Sequence, residues 1–265
     1  TRILLDIFYL LDKSKRHHLH EHRNYALNML NISGSIASIE EISRFTVPRV
    51  GNKYFYHLKK TICAENNVFK EHQLKNAEDL LKFPRDSYIE GYWQKYAYIK
   101  HIAGDLRSEF SFKNILPKEC EYVYETIRKN LSVCIIVRRG DFVNHPFLDI
   151  IRLDYFYTAI NIILNCINSP VFYVFSDDIA WCRENFKPVG CNYQLVDQGL
   201  TGPNAESYLQ MISQCDHFII PNSTFGWWGA WPGKNVNKIV IAPAKWYKNQ
   251  PEERNEILPD EWIAI

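Results

Sequence analysis

The stretch Leu131-Ser132-Val133-Cys134-Ile135-Ile136-Val137, followed at once by Arg138-Arg139-Gly140-Asp141, decides the fold class. A nearly unbroken apolar run of this length has no polar face, so it reads as a strand buried on both sides of a sheet. The pattern then repeats. Residues 152–167 carry apolar side chains at helical spacing, and Val171–Phe175 forms a second strand closed by Ser176-Asp177-Asp178. Residues 178–186 suit a short helix, Tyr193–Val196 a third strand ending at Asp197, and residues 204–214 another helix. His217–Ile220 is a fourth strand, closed by Pro221-Asn222-Ser223-Thr224, and Lys238–Ala242 a fifth, closed by Pro243. Strands alternating with helices predict an α/β fold with a parallel sheet and right-handed crossovers. Such sheets bind ligands outside the carboxyl ends of their strands. Arg138/Arg139, Ser176/Asp177/Asp178, Asp197 and Asn222/Ser223/Thr224 therefore converge on one rim.

Upstream the signal is weaker. Residues 1–130 alternate without a clear period. Asn76-Ala77-Glu78-Asp79-Leu80-Leu81 is a capped helix start that Pro84 ends. From Tyr92 to Phe110, the residues Trp93, Tyr96, Ile99, Ala103, Leu106 and Phe110 keep helix-compatible spacing, so residues 76–113 read as mainly helical. The change of pattern divides the chain into an N-terminal domain, 1–115, and a C-terminal domain, 116–265. The chain opens on Thr1 and runs directly into Ile3–Phe8, which suggests that residues precede it.

Composition narrows the function. Thirty-one Lys and Arg against 30 Asp and Glu give a net charge of +1, which excludes a polybasic nucleic-acid arm. No apolar run approaches the roughly 18 residues of a membrane span. The seven cysteines include no C-x-x-C pair, so neither a zinc ribbon nor a thioredoxin-like site is indicated. Most lie in apolar runs and read as buried free thiols, which fits a cytoplasmic protein. His17, His18, His20 and His22 read as a loop or strand face, since no neighbouring Cys or Asp completes a zinc site. Sixteen Tyr, 15 Phe and 7 Trp suit a core, an interface or a sugar-stacking surface equally.

Each rim motif has two readings. Arg138 and Arg139 offer planar donor forks for a phosphate, or form a structural pair capped by Asp141. Asp177 and Asp178 can fix hydroxyls, read a base edge or cap a helix; adjacent aspartates are a poor metal pattern, and no metal is expected. Ser223 and Thr224 cap a helix whose first N–H groups would face an anion on the rim. Phe225, Trp228 and Trp231 share one face of that helix as an aromatic core stripe.

Several segments occur in the order found in one known family. Val133–Phe142 (VCIIVRRGDF), Phe172–Phe186 with its Ser176-Asp177-Asp178, and Met211–Trp231 (MISQCDHFIIPNSTFGWWGAW) resemble glycosyltransferase family eleven, the α-1,2-fucosyltransferases. Gly91-Tyr92-Trp93-Gln94, Ile241–Tyr247 and Leu258–Trp262 resemble further segments of it, so the likeness runs from about residue 88 to 265. The resemblance implies the GT-B fold, with two Rossmann-like domains facing across a cleft and the C-terminal one binding the donor. It implies GDP-fucose as donor substrate, no cofactor, a galactose-containing oligosaccharide acceptor that can be membrane-borne, and inversion at the anomeric carbon. Carried over by position, Arg138, Arg139 and Asp141 would be catalytic. Asp177, Asp178, Asn222, Ser223, Thr224 and Phe225 would bind the donor, and Gln94 would lie towards the cleft. Asp141, Asp177, Asp178 and Glu206 are the candidate bases. Two departures stand out: Ile136 occupies the family's histidine position two residues before the first Arg, and no Gly-Gly-Leu-Gly-Asn-Gln segment occurs. The segment after Pro259 would cross back to the first domain.

Overall fold

A computed structural model describes residues 2–11, 25–48, 67–114, 116–197, 205–249 and 256–265. Cys63 and the His17–His22 segment lie outside these residues. The chain forms two compact units, Thr1–Ser111 and Phe112–Ile265.

The C-terminal unit is built on a six-stranded sheet in which every pair is parallel. Its strands are β1 (Ser132–Val137), β2 (Val171–Ser176), β3 (Asn192–Leu195), β4 (His217–Ile219), β5 (Val240–Ala242) and β6 (Ile263–Ala264). The helices are α1 (Glu121–Lys129), α2 (Leu153–Cys166), α3 (Ile179–Asn185), α4 (Ala205–Ile212) and α5 (Thr224–Ala230). All six residues of β1 are buried, which is why its sequence is apolar without alternation. Phe156, Ala159, Ile160 and Ile163 of α2 pack with Val133, Ile135 and Val137 of β1 and with Phe172 and Val174 of β2.

The strand order is β6-β5-β4-β1-β2-β3. The chain therefore moves outward from β1 through β2 to β3, then returns to the other side of β1 at β4. That reversal between β1 and β4 is the topological switch point, where the loops part and leave a crevice at the carboxyl ends.

Three expectations change. β6 is an additional strand: Ile263 pairs with Ile241 and Ala264 with Ala242, so the segment after Pro259 completes the C-terminal sheet. Trp227 joins Trp231 in the core of α5, stacked at 5.7 Å, and its indole N–H donates to Ile257 O at 2.9 Å. Phe225 and Trp228 are only half-buried, while Trp262 packs at 5.5 Å on Trp227. Of the cysteines, Cys120, Cys134, Cys182 and Cys215 are buried, but Cys191 is half-buried and Cys166, at the end of α2, is exposed.

The N-terminal unit has two short parallel pairs, Leu4–Leu5 with Ser35–Ile36 and Val68–Lys70 with Tyr88–Glu90. Asn76 caps the 3-10 helix Ala77–Lys82 through a reciprocal pair of bonds with Asp79. The expected helix over residues 92–110 is shorter. Tyr96–Tyr98 and Lys100–Ile102 are 3-10 turns, and the α-helix runs only over Ala103–Glu109. The cause lies outside the segment: Glu71 Oε2 accepts the backbone N–H groups of Tyr92 (2.8 Å) and Trp93 (2.7 Å). This holds Trp93 at φ 52°, a left-handed conformation that no helix continues.

Candidate active site

β1 and β2 run in register from Ser132↔Val171 to Val137↔Ser176. The next residues, Arg138 and Asp177, therefore leave the sheet side by side. Asp177 Oδ1 accepts the Arg139 backbone N–H at 2.8 Å, and its Oδ2 lies 2.6 Å from Arg138 Nη1. The other end of the Arg138 guanidinium meets Asp141 Oδ1. Burial pushes the Asp177 carboxyl above its ordinary value; the Arg138 charge and the Arg139 N–H pull it back only in part. Gly140 makes this packing possible, since a Cβ there would stand 2.5 Å from Asp177 Oδ2.

Asp178 has two tasks. Its Oδ1 accepts the Trp181 N–H at 3.1 Å and caps α3, while Oδ2 accepts from Arg139 Nε at 3.1 Å. The Arg139 guanidinium lies 3.8 Å from the centre of the Trp181 ring, a cation–π contact. Arg139 is thus fixed from one side and beneath. Its two terminal nitrogens make no hydrogen bond among the described residues, and its side chain is 26% exposed. Sequence reasoning missed Trp181. Its signal was the position three residues after Asp178, one helical turn on.

The turn after β4 is neutral. Asn222 is 2% exposed, and its Nδ2 donates to Leu148 O (3.1 Å) and Trp246 O (2.9 Å). Ser223 is the N-cap residue of α5, but its hydroxyl makes no bond to the first turn, unlike the expected side-chain cap. Thr224 is exposed. Ile136 sits under this helix: a Cβ on Gly226 would be 3.4 Å from Ile136 Cδ1, so an apolar contact fills the histidine position. His145 was also missed. It is buried, and its Nδ1 accepts the N–H groups of Phe147 and Leu148, both at 3.2 Å, which makes it a strut of the loop after Asp141.

The remaining candidates are committed elsewhere. Asp197 pairs with Arg183 of α3, and Glu206 accepts from Asn114 Nδ2 at 2.9 Å. Gln94 belongs to the N-terminal unit. Among the described residues, no group of three His, Cys, Asp or Glu is placed to hold a metal ion. Nor, among them, is any helix long and apolar enough to cross a membrane.

At the carboxyl ends of the sheet the switch point carries Arg138 and Arg139 after β1 and the start of α5 after β4, the edge where such sheets bind ligands. Comparison with known proteins names the family. The sequence profile of glycosyl transferase family 11 matches residues 22–265, and the chain belongs to that family. It is 29% identical to the O-antigen biosynthesis glycosyltransferase WbnK of Escherichia coli, over 99% of this chain and 90% of the relative. It is 27% identical to an alpha-1,2-colitosyltransferase of Escherichia coli, over 92% of this chain and 84% of the relative. It is 28% identical to galactoside alpha-(1,2)-fucosyltransferase 2 of Rattus norvegicus, over 53% of this chain and 42% of the relative. The protein is a glycosyltransferase, and its family implies a nucleotide-sugar donor and a glycan acceptor.

Proposed function

We propose that the protein is an inverting, metal-independent α-1,2-fucosyltransferase of GT-B architecture, moving L-fucose from GDP-fucose to the 2-hydroxyl of a galactoside. The single observation that carries this reading is the Arg138–Asp177–Arg139–Asp178 network at the switch point, in a chain of family 11. Breaking the anomeric bond builds negative charge on the leaving diphosphate. Groups that grip that charge more tightly as it develops lower the barrier. Arg139 is the better fork, because its terminal nitrogens make no hydrogen bond among the described residues, whereas Arg138 is clasped by Asp141 and Asp177. Arg138 sets the local field, Ser223 and Thr224 donate from the opposite lip, and Phe225 flanks the donor. Asp178, the most exposed of the three aspartates at 38%, reaches a hydroxyl of the donor, while Asp177 and Asn222 act by holding the two turns in place.

The colitosyltransferase relative favours a second reading, in which another nucleotide sugar is the donor. The tryptophans of α5 argue against a non-catalytic sugar-binding surface, since Trp227 and Trp231 are core. Product analysis separates the readings: the protein is mixed with GDP-fucose and lactose or N-acetyllactosamine, and the linkage is determined. An α-1,2-fucosylated product is expected. Inert GDP-fucose beside turnover of a different nucleotide sugar would select the second reading.

A further inference from the structure

The two arginines of the charged turn are oriented in different ways. Arg138 is gripped by two carboxylates, Asp141 and Asp177, and the Phe142 ring centre stands 5.4 Å from its Cζ. Among the described residues Arg139 has one ion pair, with Asp178, and a far closer ring, Trp181 at 3.8 Å. A carboxylate orients a cation and cancels its charge together. An aromatic face orients a cation and leaves its charge available to a ligand.

Trp181 is built to hold still. Its N–H is bound by Asp178 Oδ1 at 3.1 Å, and its carbonyl accepts from Asn185 Nδ2 at 3.0 Å. Its side chain is half-buried and packs against the core cluster that includes Val174 and Cys182. Asp178 alone cannot set the fork, because its one bond, to Nε at 3.1 Å, lets the guanidinium swing about that nitrogen. A ring in van der Waals contact beneath the guanidinium removes that swing.

We propose that Trp181 is a positioning residue for Arg139: it aims the guanidinium at the donor diphosphate without neutralising it. This rests on the donor-site reading above. GDP is titrated by calorimetry into wild type, Trp181→Leu, Trp181→Phe, Arg139→Ala and the Arg139→Ala/Trp181→Leu double variant, with guanosine as the phosphate-free control. Trp181→Leu should weaken GDP binding about tenfold, the scale of a partly desolvated cation–π contact, and leave guanosine binding unchanged. Trp181→Phe keeps a ring face and should recover most of the loss. In the Arg139→Ala background Trp181→Leu should cost nothing further, since its effect runs through the guanidinium.

GDP bound by Trp181→Leu as tightly as by wild type, an equal loss for guanosine, or the same further loss without Arg139 overturns this proposal and leaves the donor-site reading standing. GDP bound equally by wild type and Arg139→Ala overturns both. An unchanged melting temperature certifies the fold. If Trp181→Leu does not fold, Trp181→Met, which fills more of the space without a ring, is read by the same criteria.

Discussion

The two turns that flank the switch point are held by opposite means. After β1, two guanidiniums are clasped by three carboxylates, Asp141, Asp177 and Asp178, in a half-buried setting. After β4, one buried amide, Asn222, links two loop carbonyls, and Trp227 and Trp231 pack beneath with no charge involved. The first turn aims functional groups through ion pairs; the second holds the backbone still. Substitutions in the charged turn should strike turnover, and substitutions in the neutral turn should strike stability.

The largest expected effect is on rate. Arg139→Ala removes the half-exposed fork and should lower turnover by about 10²–10³, by analogy with lost oxyanion donors, with little change in melting temperature. Next comes Asn222→Ala, which leaves the Leu148 and Trp246 carbonyls unpaired. A loss of about 2–4 kcal/mol is expected from two unsatisfied groups, read by urea unfolding. Gly140→Ala sharpens the contrast inside the charged turn, because its Cβ would press on Asp177 Oδ2. It should cost about 1–3 kcal/mol as an overpacked site and lower turnover as well. Gly104→Ala is the control: nothing lies within 4 Å of a Cβ in that helix, so stability should hold or rise.

The smallest effect is in pH. The folded state holds the Asp177 proton to a higher pH than the unfolded chain does. Its stabilising contribution is fully present below the unfolded value and is lost as pH rises through the folded one. Asp79, in the N-terminal unit, has the opposite sign. Lys82 and the N–H groups of Lys75 and Asn76 hold it at about 2, so its contribution is lost as pH falls towards that value. Carboxyl carbon NMR should show the two groups displaced in opposite directions from 3.8.

What was legible in the sequence follows from burial. β1, β2, β4 and β5 declared themselves because their buried residues leave apolar runs, whereas β3, an edge strand that is only partly buried, showed through its place between two helical segments. β6 did not, because two residues carry no period. The rim motifs were visible as positions, whereas their partnerships depend on register. Nothing in the sequence says that Val137 pairs with Ser176 and so delivers Asp177 to Arg138. The N-terminal unit shows the same limit: helical spacing over residues 92–110 yields to Glu71, about twenty residues upstream. Trp227 shows it again, since it packs with Trp262, which lies in the segment expected to cross to the first domain.

The claim that the charged turn grips a nucleotide diphosphate is tested most directly by titrating GDP into wild type and Arg139→Ala, with guanosine as the phosphate-free control. GDP should bind the wild type well above guanosine, and the substitution should erase that advantage. Equal GDP affinity in the two proteins would contradict the account.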